Sequence, residues 1–414
     1  MRTIALGLAL FLSACGNEAP PAIPAAAAEA PKTDDLGKRL RETWQSAADW
    51  LVSQQDASGA WKMGPPGQQA PSPSYTGLII TALANAPAEL RSKCQAPLDK
   101  AVAFLVSKAN DDGSFGEGQT GTFMKTYTTG IALMALGSVD REKHAQRIRG
   151  AQAYLKHNQL KEGAFRGGLG YGDEKPRFKD GKIVVEQETL PNLSVVGFAA
   201  DGLHVSGLPK DEAFWKLVVE FVRKCQNSSE VNTDPQFVAA LKEKGLTVGE
   251  DGGLYYAPIA DPKLQKAGTK KISDRESISS YGAMTYDGIK TYLYAGLPKD
   301  SPEVRAAMDW VRKNYSVDVH PGFAFDAVQR HHLRGLYHYY LVMVRALDAF
   351  GENPLETFDG KRRDWPREIA AQLLKTVKDS KMWINENAAW YEGDPVLVTS
   401  YVLTTCDVLL KYVK

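Results

Sequence analysis

The chain has 414 residues, 43% hydrophobic and 24% charged, with a formal net charge of +1. That composition allows a sizeable core. Acids and bases are mixed with no long basic stripe, which removes the electrostatic footprint of a nucleic-acid binder, and no run of about 18 apolar residues is present to form a spanning helix.

At the N-terminus a positive charge, Arg2, precedes a short apolar run from Ile4 to Leu12 and then Leu12-Ser13-Ala14-Cys15. The run is too short to cross a bilayer and suits a secretory signal. The pair of small residues before Cys15 resembles the lipobox of bacterial lipoproteins. The resemblance implies cleavage before Cys15 and acylation of its thiol and new amine, so that residues 1–15 are the signal peptide together with the lipobox cysteine, and the bilayer is a partner. Several acyl chains at about 0.8 kcal/mol per buried CH2 would hold the protein stably, on the extracytoplasmic side. Gly16 in place of Asp favours the outer membrane in a Gram-negative host. A plain signal peptide with a chance cysteine is the alternative. Residues 16–33, rich in Ala and Pro, are a semi-extended spacer. The other cysteines, Cys94, Cys225 and Cys406, are odd in number and far apart, so at least one thiol is free and no disulfide framework is expected.

Residues 34–414 are expected to form the folded body, and a repeat runs through them. An amphipathic helix ends in a short loop with Gly and an aromatic residue, and a more apolar helix follows. Trp50 to Gln55 leads to Gly59-Ala-Trp61 and a helix from Tyr75 to Asn85. Phe104 leads to Asp112-Gly-Ser-Phe115 and a helix from Tyr127 to Leu136. Tyr154 to Gln159 leads to Gly163-Ala-Phe165 and a helix from Asn192 to Leu203. Phe221 to Gln226 leads, after an insertion at 227–276, to Asp251-Gly-Gly-Leu-Tyr255 and a helix from Tyr281 to Leu297. Trp310 to Asn314 leads to Gly322-Phe323 and a helix from Leu336 to Phe350. Leu373 to Lys378 leads to Met382-Trp383 and a helix from Val396 to Val413.

The first helix of each pair carries one apolar stripe, as in Leu40, Trp44, Ala47, Ala48 and Leu51. The second helices are apolar nearly all round, as in Ile131 to Leu136, and must be buried on most sides. Two concentric rings satisfy both patterns. The sequence therefore predicts an all-α fold, an (α/α)6 toroid of six helix pairs. An open solenoid uses the same local code, so closure rests on the count of six and on length. Gly137, Gly207, Gly296 and Gly351 mark inner-helix ends. Asp394-Pro395 reads as an N-cap followed by Pro at the first helical position. One hairpin is expected around Lys179 to Lys182.

The unit Trp50 to Trp61, with its Gln, Gly and Trp spacing, and its cousins along residues 40–410 resemble the repeats of squalene–hopene cyclases and of protein prenyltransferase β subunits. The resemblance implies the toroid and an isoprenoid- or lipid-handling cavity. The cyclase acid cluster D-x-D-D is missing. The prenyltransferase zinc site is not carried over either: Tyr337-His338-Tyr339 resembles its His part, but no Cys lies between Cys225 and His338. No metal and no cofactor is expected.

Site residues are sought where loops enter the inner helices, around the mouth of a central cavity. Asp287 would be an ionised group in an apolar helix, either a site carboxylate or an Asp held by a neighbouring helix's Arg or Lys. Tyr281 and Tyr286 accompany it. Arg334 and His338, four apart, are expected on one face beside Tyr337, with His338 as acid or base. Trp390, Tyr391 and Glu392 look like a rim before the last inner helix, and Asp394 reads as its cap with a catalytic alternative. Tyr127, Glu188 and Asn192 have weaker claims, capping or solvation being the rival reading. The insertion is either a binding loop or a surface excursion.

Three functions compete. The first is an isoprenoid- or lipid-binding toroid with cation-stabilising aromatics. The second is a carbohydrate-active enzyme, in which Glu392 or Asp394 with Asp287 would supply a carboxylate pair or Tyr and His would serve a lyase. The third is a binding scaffold whose lumen is filled by side chains. A monomer is expected, with an isoprenoid, lipid or glycan as ligand.

Overall fold

The computed structural model describes residues 35–64, 67–116, 124–173, 177–179, 182–184 and 189–414. Cys15, the spacer and Glu188 lie outside them.

The chain is an all-α (α/α)6 toroid. Six outer helices alternate with six inner ones: α1 (Leu36–Ser53) and α2 (Pro73–Asn85), α3 (Gln95–Val106) and α4 (Lys125–Val139), α5 (Ala145–Asn158) and α6 (Leu193–Val205), α7 (Ala213–Lys224) and α8 (Gly282–Tyr294), α9 (Pro302–Asn314) and α10 (Leu336–Phe350), α11 (Trp365–Thr376) and α12 (Pro395–Leu409). Each inner helix packs on the next, and α12 packs back on α2. That last contact closes the ring and excludes the open solenoid. The helices divide as their sequences dictate: α1 buries one stripe including Leu40, Trp44, Ala48 and Leu51, whereas in α2 every residue from Tyr75 to Ala84 is buried. Among the described residues, no helix is long and apolar enough to cross a membrane.

The repeat is legible as a set of hydrogen bonds that fasten one pair to the next. Gln55 Nε2 donates to Gly59 O and to Pro97 O of α3, both at 2.9 Å. Gln159 makes the same bridge to Gly167 O and to Phe214 O of α7, at 3.1 and 3.0 Å. Gln226 does so to Gly252 O and to Glu303 O of α9, both at 2.9 Å. Each Gln thus ties its own loop to the following outer helix. Gly252, at φ +79°, lies against the Ala306 carbonyl of α9, where a Cβ would collide. An inner-helix Thr accepts the next backbone N–H: Trp61 to Thr76, Phe115 to Thr129, Leu254 to Thr285 and Trp383 to Thr399, at 2.9–3.2 Å. This pattern corrects the register of two repeats. The third turns at Gly167 instead of Gly163, and the fourth places Leu254, not Tyr255, at the aromatic position.

Among the described residues, four two-stranded antiparallel hairpins decorate the loops, one of them pairing Arg177–Lys179 with Lys182–Val184. The insertion folds into a short helix, Pro235–Glu243, and a hairpin of Thr269–Ile272 with Arg275–Ile278. Buried Asn227 pins it, donating to Ile278 O at 2.7 Å and accepting from Gly249 N at 3.0 Å. Cys94, Cys225 and Cys406 are all free and buried.

Replacing Gln226 by Leu would remove the side-chain donor to the Gly252 and Glu303 carbonyls and leave the buried Tyr292 hydroxyl, which donates to Gln226 Oε1, without its acceptor. Urea unfolding of the variant is expected to show a loss of about 2–4 kcal/mol; a loss below about 1 kcal/mol would contradict the fastening role.

Candidate functional site

All six inner helices point their N-termini to one end, and the loops entering them build the mouth. Below it, two layers of side chains cross the lumen.

The upper layer is aromatic. Phe198 of α6 stacks on His338 of α10 with centroids 5.6 Å apart, a contact made across the ring because α8 stands between those helices. Tyr127 of α4 packs on Phe198 at 4.6 Å, and Tyr401 of α12 meets His338 edge-on at 5.8 Å. Towards the mouth lie Tyr171, whose hydroxyl is 2.9 Å from that of Tyr256, and Tyr281, which packs on Phe323 at 5.2 Å. Trp390 meets Phe323 edge-on at 5.9 Å.

The lower layer is ionic. Lys290 Nζ lies 2.5 Å from Asp201 Oδ2 and 2.9 Å from Asp287 Oδ1, and Arg345 Nη1 lies 2.8 Å from Asp201 Oδ2. Asp201, Asp287 and Lys290 are almost wholly buried. Charges so buried persist only when paired, and Lys290 serves both carboxylates. Asp287 Oδ2 nevertheless has no hydrogen-bond partner. Burial pushes the Asp287 pKa up to about 6, against the pull of Lys290. The carboxyl has room because α6 carries Gly197 opposite it; a Cβ there would sit 2.5 Å from Asp287 Oδ1. Burial raises the pKa of the Tyr127 and Tyr281 hydroxyls; the Asp287 charge is the next cause at Tyr281 and follows Tyr401 and Tyr171 at Tyr127.

Tyr127, Tyr281, Asp287 and His338 therefore converge on the lumen, and Arg334 and Trp390 on its mouth. The other expected residues are placed differently. Tyr286 stands against Tyr339 at 5.7 Å, and Tyr337 against Tyr340 at 5.8 Å. Both lie between the two helical shells, turned about 100° per residue away from their lumen-facing neighbours Asp287 and His338. Arg334 and His338 do not share a helical face, because α10 begins only after Gly335 at φ +63°. His338 is no proton donor near neutral pH: burial and Lys290 push its pKa down to about 3, leaving it neutral.

The carboxylates of the rim are caps. Glu392 accepts from Tyr337 N at 3.2 Å and His338 N at 2.7 Å, and Asn385 Nδ2 donates to it at 2.5 Å. It closes the N-terminus of α10 from another segment. Asp394 accepts from Val396 N at 2.9 Å and caps α12. Asn192 accepts from Val195 N at 3.0 Å and caps α6. Tyr391 is 61% exposed, at the rim rather than in the core of the toroid. His320, which no sequence pattern marks, accepts from Ala283 N at 2.8 Å through Nε2, with its Nδ1 2.6 Å from Arg334 O, and so caps α8.

Sequence reasoning missed Asp201, Lys290, Arg345 and Phe198. The first three had a signal: each is a charge in a helix that is otherwise largely apolar, Lys290 lying one turn after Asp287 in α8. No group of three or more His, Cys, Asp or Glu side chains among the described residues could hold a metal ion.

No protein-family model matches the chain, and no curated protein sequence matches it. Solved structures do. A point variant of the type II terpene cyclase MstE from Scytonema, in complex with its product merosterolic acid A, superposes with a TM-score of 0.56 at 15% identity, covering 91% of this chain and 98% of that one. Apo MstE gives 0.53 at 16% identity over 90% and 98% of the two chains. The GH76A alpha-1,6-mannanase from Salegentibacter sp. HEL1_6 gives 0.53 at 11% identity over 91% and 100%. Terpene cyclase and mannanase share this architecture with the chain, so the likeness establishes an (α/α) toroid and leaves chemistry to the site.

Burial also raises the Glu392 pKa to about 7, against its hydrogen-bond donors. A carboxyl that binds its proton more tightly when folded stabilises the protein below its unfolded pKa, near 4.3, and that contribution is lost as pH rises towards 7. Glu392→Gln keeps a capping oxygen and cannot ionise. The stability of the variant relative to the parent is expected to rise by about 1–3 kcal/mol between pH 4.5 and pH 8, measured by chemical unfolding. A difference that is flat with pH would contradict the assignment.

Proposed function

We propose that the toroid binds an isoprenoid or similar polyene in the mouth-side half of its lumen, with Asp287 as the proton donor should the ligand be transformed. One observation carries this reading: a buried carboxyl, its pKa raised to about 6, has a free oxygen beside a lining of Tyr127, Phe198, Tyr281 and Tyr401. Such a lining suits an apolar chain and stabilises a cation through its ring faces. Proton transfer from Asp287 to an alkene carbon forms a C–H bond and leaves positive charge on the adjacent carbon. Asp287 becomes a carboxylate beside Lys290. Loss of a proton from the rearranged cation then balances the reaction.

The carbohydrate reading needs two carboxyls flanking a bond. Glu392 and Asp394 are spent on helix caps, and Asp201, the remaining carboxylate near Asp287, is held by Lys290 and Arg345. We also propose that Cys15 is lipidated and holds the toroid to a membrane outside the cytoplasm, which would put the mouth within reach of bilayer-dissolved isoprenoids.

Native mass spectrometry of protein purified from its host tests the ligand class: an added mass that is extracted as an isoprenoid supports the reading, and a co-purified glycan overturns it. Asp287→Asn is expected to retain the ligand and to abolish any cyclised product in gas chromatography of extracts, a loss of at least about 100-fold for removal of a general acid. Turnover by the variant at parental rate would remove Asp287 from the chemistry. For the anchor, Cys15→Ala is expected to move the protein from the detergent phase to the aqueous phase of a cloud-point extraction; unchanged partition would remove the lipid.

A further inference from the structure

Two cations stand at the mouth without a counterion among the described residues. Arg334 lies over the rings of Phe323 and Trp390, 5.8 and 5.9 Å from their centroids. Its Nε is buried and has no hydrogen-bond partner. Lys266, contributed by the insertion, lies 4.7 Å above the ring of Tyr256. The rings beneath the two cations belong to one wall of the mouth: Tyr281 packs on Phe323 at 5.2 Å and donates its backbone N–H to Leu254 O, two residues before Tyr256. Burial first, and the Arg334 charge second, push the Lys266 pKa down. The other buried cations of the lumen are paired, Lys290 with two carboxylates and Arg345 with one. Among the described residues, no carboxylate lies within ion-pair distance of Lys266 or Arg334, and neither side chain donates a hydrogen bond.

Holding two like charges together in a half-buried place is unfavourable unless something of opposite charge joins them. The protein's own acids are turned elsewhere: Glu392 caps α10, Asp394 caps α12, and Glu386 pairs with Arg330. The aromatic rings beneath the cations supply orientation and partial compensation, but leave the N–H donors unspent. A guanidinium and an ammonium on one wall of the mouth, each with unspent donors, suit an oxyanion, and a charge-assisted hydrogen bond is roughly twice as strong as a neutral one.

We infer that Lys266 and Arg334 form a head-group site for an oxyanion, carboxylate or phosphate ester, on a ligand whose apolar tail passes between Tyr256 and Phe323 into the lumen. This rests on the polyene reading of the lumen and narrows it to amphipathic ligands with an acidic end. It also gives the insertion a purpose. The segment carrying Gln265 and Lys266 is tied to its own loop by Gln265 Nε2, which donates to Ala257 O at 2.8 Å and Ile259 O at 2.9 Å, so the cation is held in place before a ligand arrives.

The test compares matched probes on the full chain in detergent: farnesoic acid, farnesyl monophosphate, neutral farnesol and inorganic phosphate, followed by quenching of tryptophan fluorescence and by calorimetry. The acid and the monophosphate are expected to bind at least about 10-fold more tightly than farnesol, with the tighter of the two naming the head group. In Lys266→Gln that preference is expected to fall by about 10-fold while farnesol affinity is unchanged; Arg334→Lys, which keeps the charge, should retain most of it. Lys266 is only half-buried, so a folded variant is expected and is checked by circular dichroism. Equal binding of farnesol and the acid would overturn the head-group site and leave the polyene reading standing. Binding of inorganic phosphate in a Lys266-dependent manner with no binding of any tailed probe would support the oxyanion site and sink the polyene reading. Competition by phosphatidylglycerol vesicles as strong as that by the soluble acid would assign the cations to a bilayer surface and overturn the proposal.

Discussion

The structure depends on hiding six helices that are apolar nearly all round. An inner helix such as α2 cannot face water on any side, so it needs a neighbour to left and right and a sheath behind. Closing the inner ring supplies the two neighbours, and the outer ring supplies the sheath. Half-buried Gln55 and buried Gln159 and Gln226 join the shells at three of the six junctions, each bonding one carbonyl of its own loop and one of the next outer helix. Because those carbonyls are withdrawn from water, the bonds matter more for what their absence would cost than for what they add. Successive pairs are locked in register, and the ring meets itself without an open edge.

A closed ring has an inside, and what fills it follows from the same burial. Asp201 on α6 and Arg345 on α10 meet across α8 while Lys290 of α8 joins them, so three consecutive inner helices are tied by one ion cluster. A buried ion pair is a weak source of stability. Its effect here is geometric: it fixes the rotation of each helix about its axis, since turning α8 by one residue would send Asp287 into the interlayer core and bring Tyr286 into the lumen. Above the cluster, Phe198 and His338 meet across the same gap. The lumen is therefore crossed at mid-height by side chains of α6 and α10.

Much of this is readable in the sequence. The alternation of amphipathic and wholly apolar helices predicts the two rings, and the Gln, Gly and aromatic spacing predicts the connection, with closure added by the structure. The site is less legible, for two reasons. Periodicity says which residues lie on a helix and not where the helix begins, so it puts Arg334 on the face of His338 although Gly335 in left-handed conformation separates them. In a helix apolar all round there is also no pattern to tell the lumen side from the interlayer side, and Tyr286 cannot be distinguished from Asp287, nor Tyr337 from His338. Lone charges are the better guide. Asp201, Lys290 and Arg345 each interrupt an apolar helix, and the reasoning used for Asp287, applied to all six inner helices, finds the cluster.

The mouth shows why polar residues near helix starts are poor evidence of chemistry in this architecture. Six buried helix N-termini converge there, and each begins with backbone N–H groups that lack an intrahelical acceptor. Acceptors must gather at the same end: Ser72 for α2, Asn192 for α6, His320 for α8, Glu392 for α10 and Asp394 for α12. A ring of carboxylates, amides and imidazoles around a central opening is thus the expected consequence of the fold, whatever the molecule does. Groups that the fold does not need are the informative ones. By that criterion Glu392 and Asp394 recede, and three features stand out: the free oxygen of Asp287, the unpaired Nε of Arg334 and the unaccompanied ammonium of Lys266. An acid beneath two cations, with aromatic rings between them, is the arrangement on which the proposed ligand, polar at its outer end and reactive, if anywhere, at its inner one, is founded.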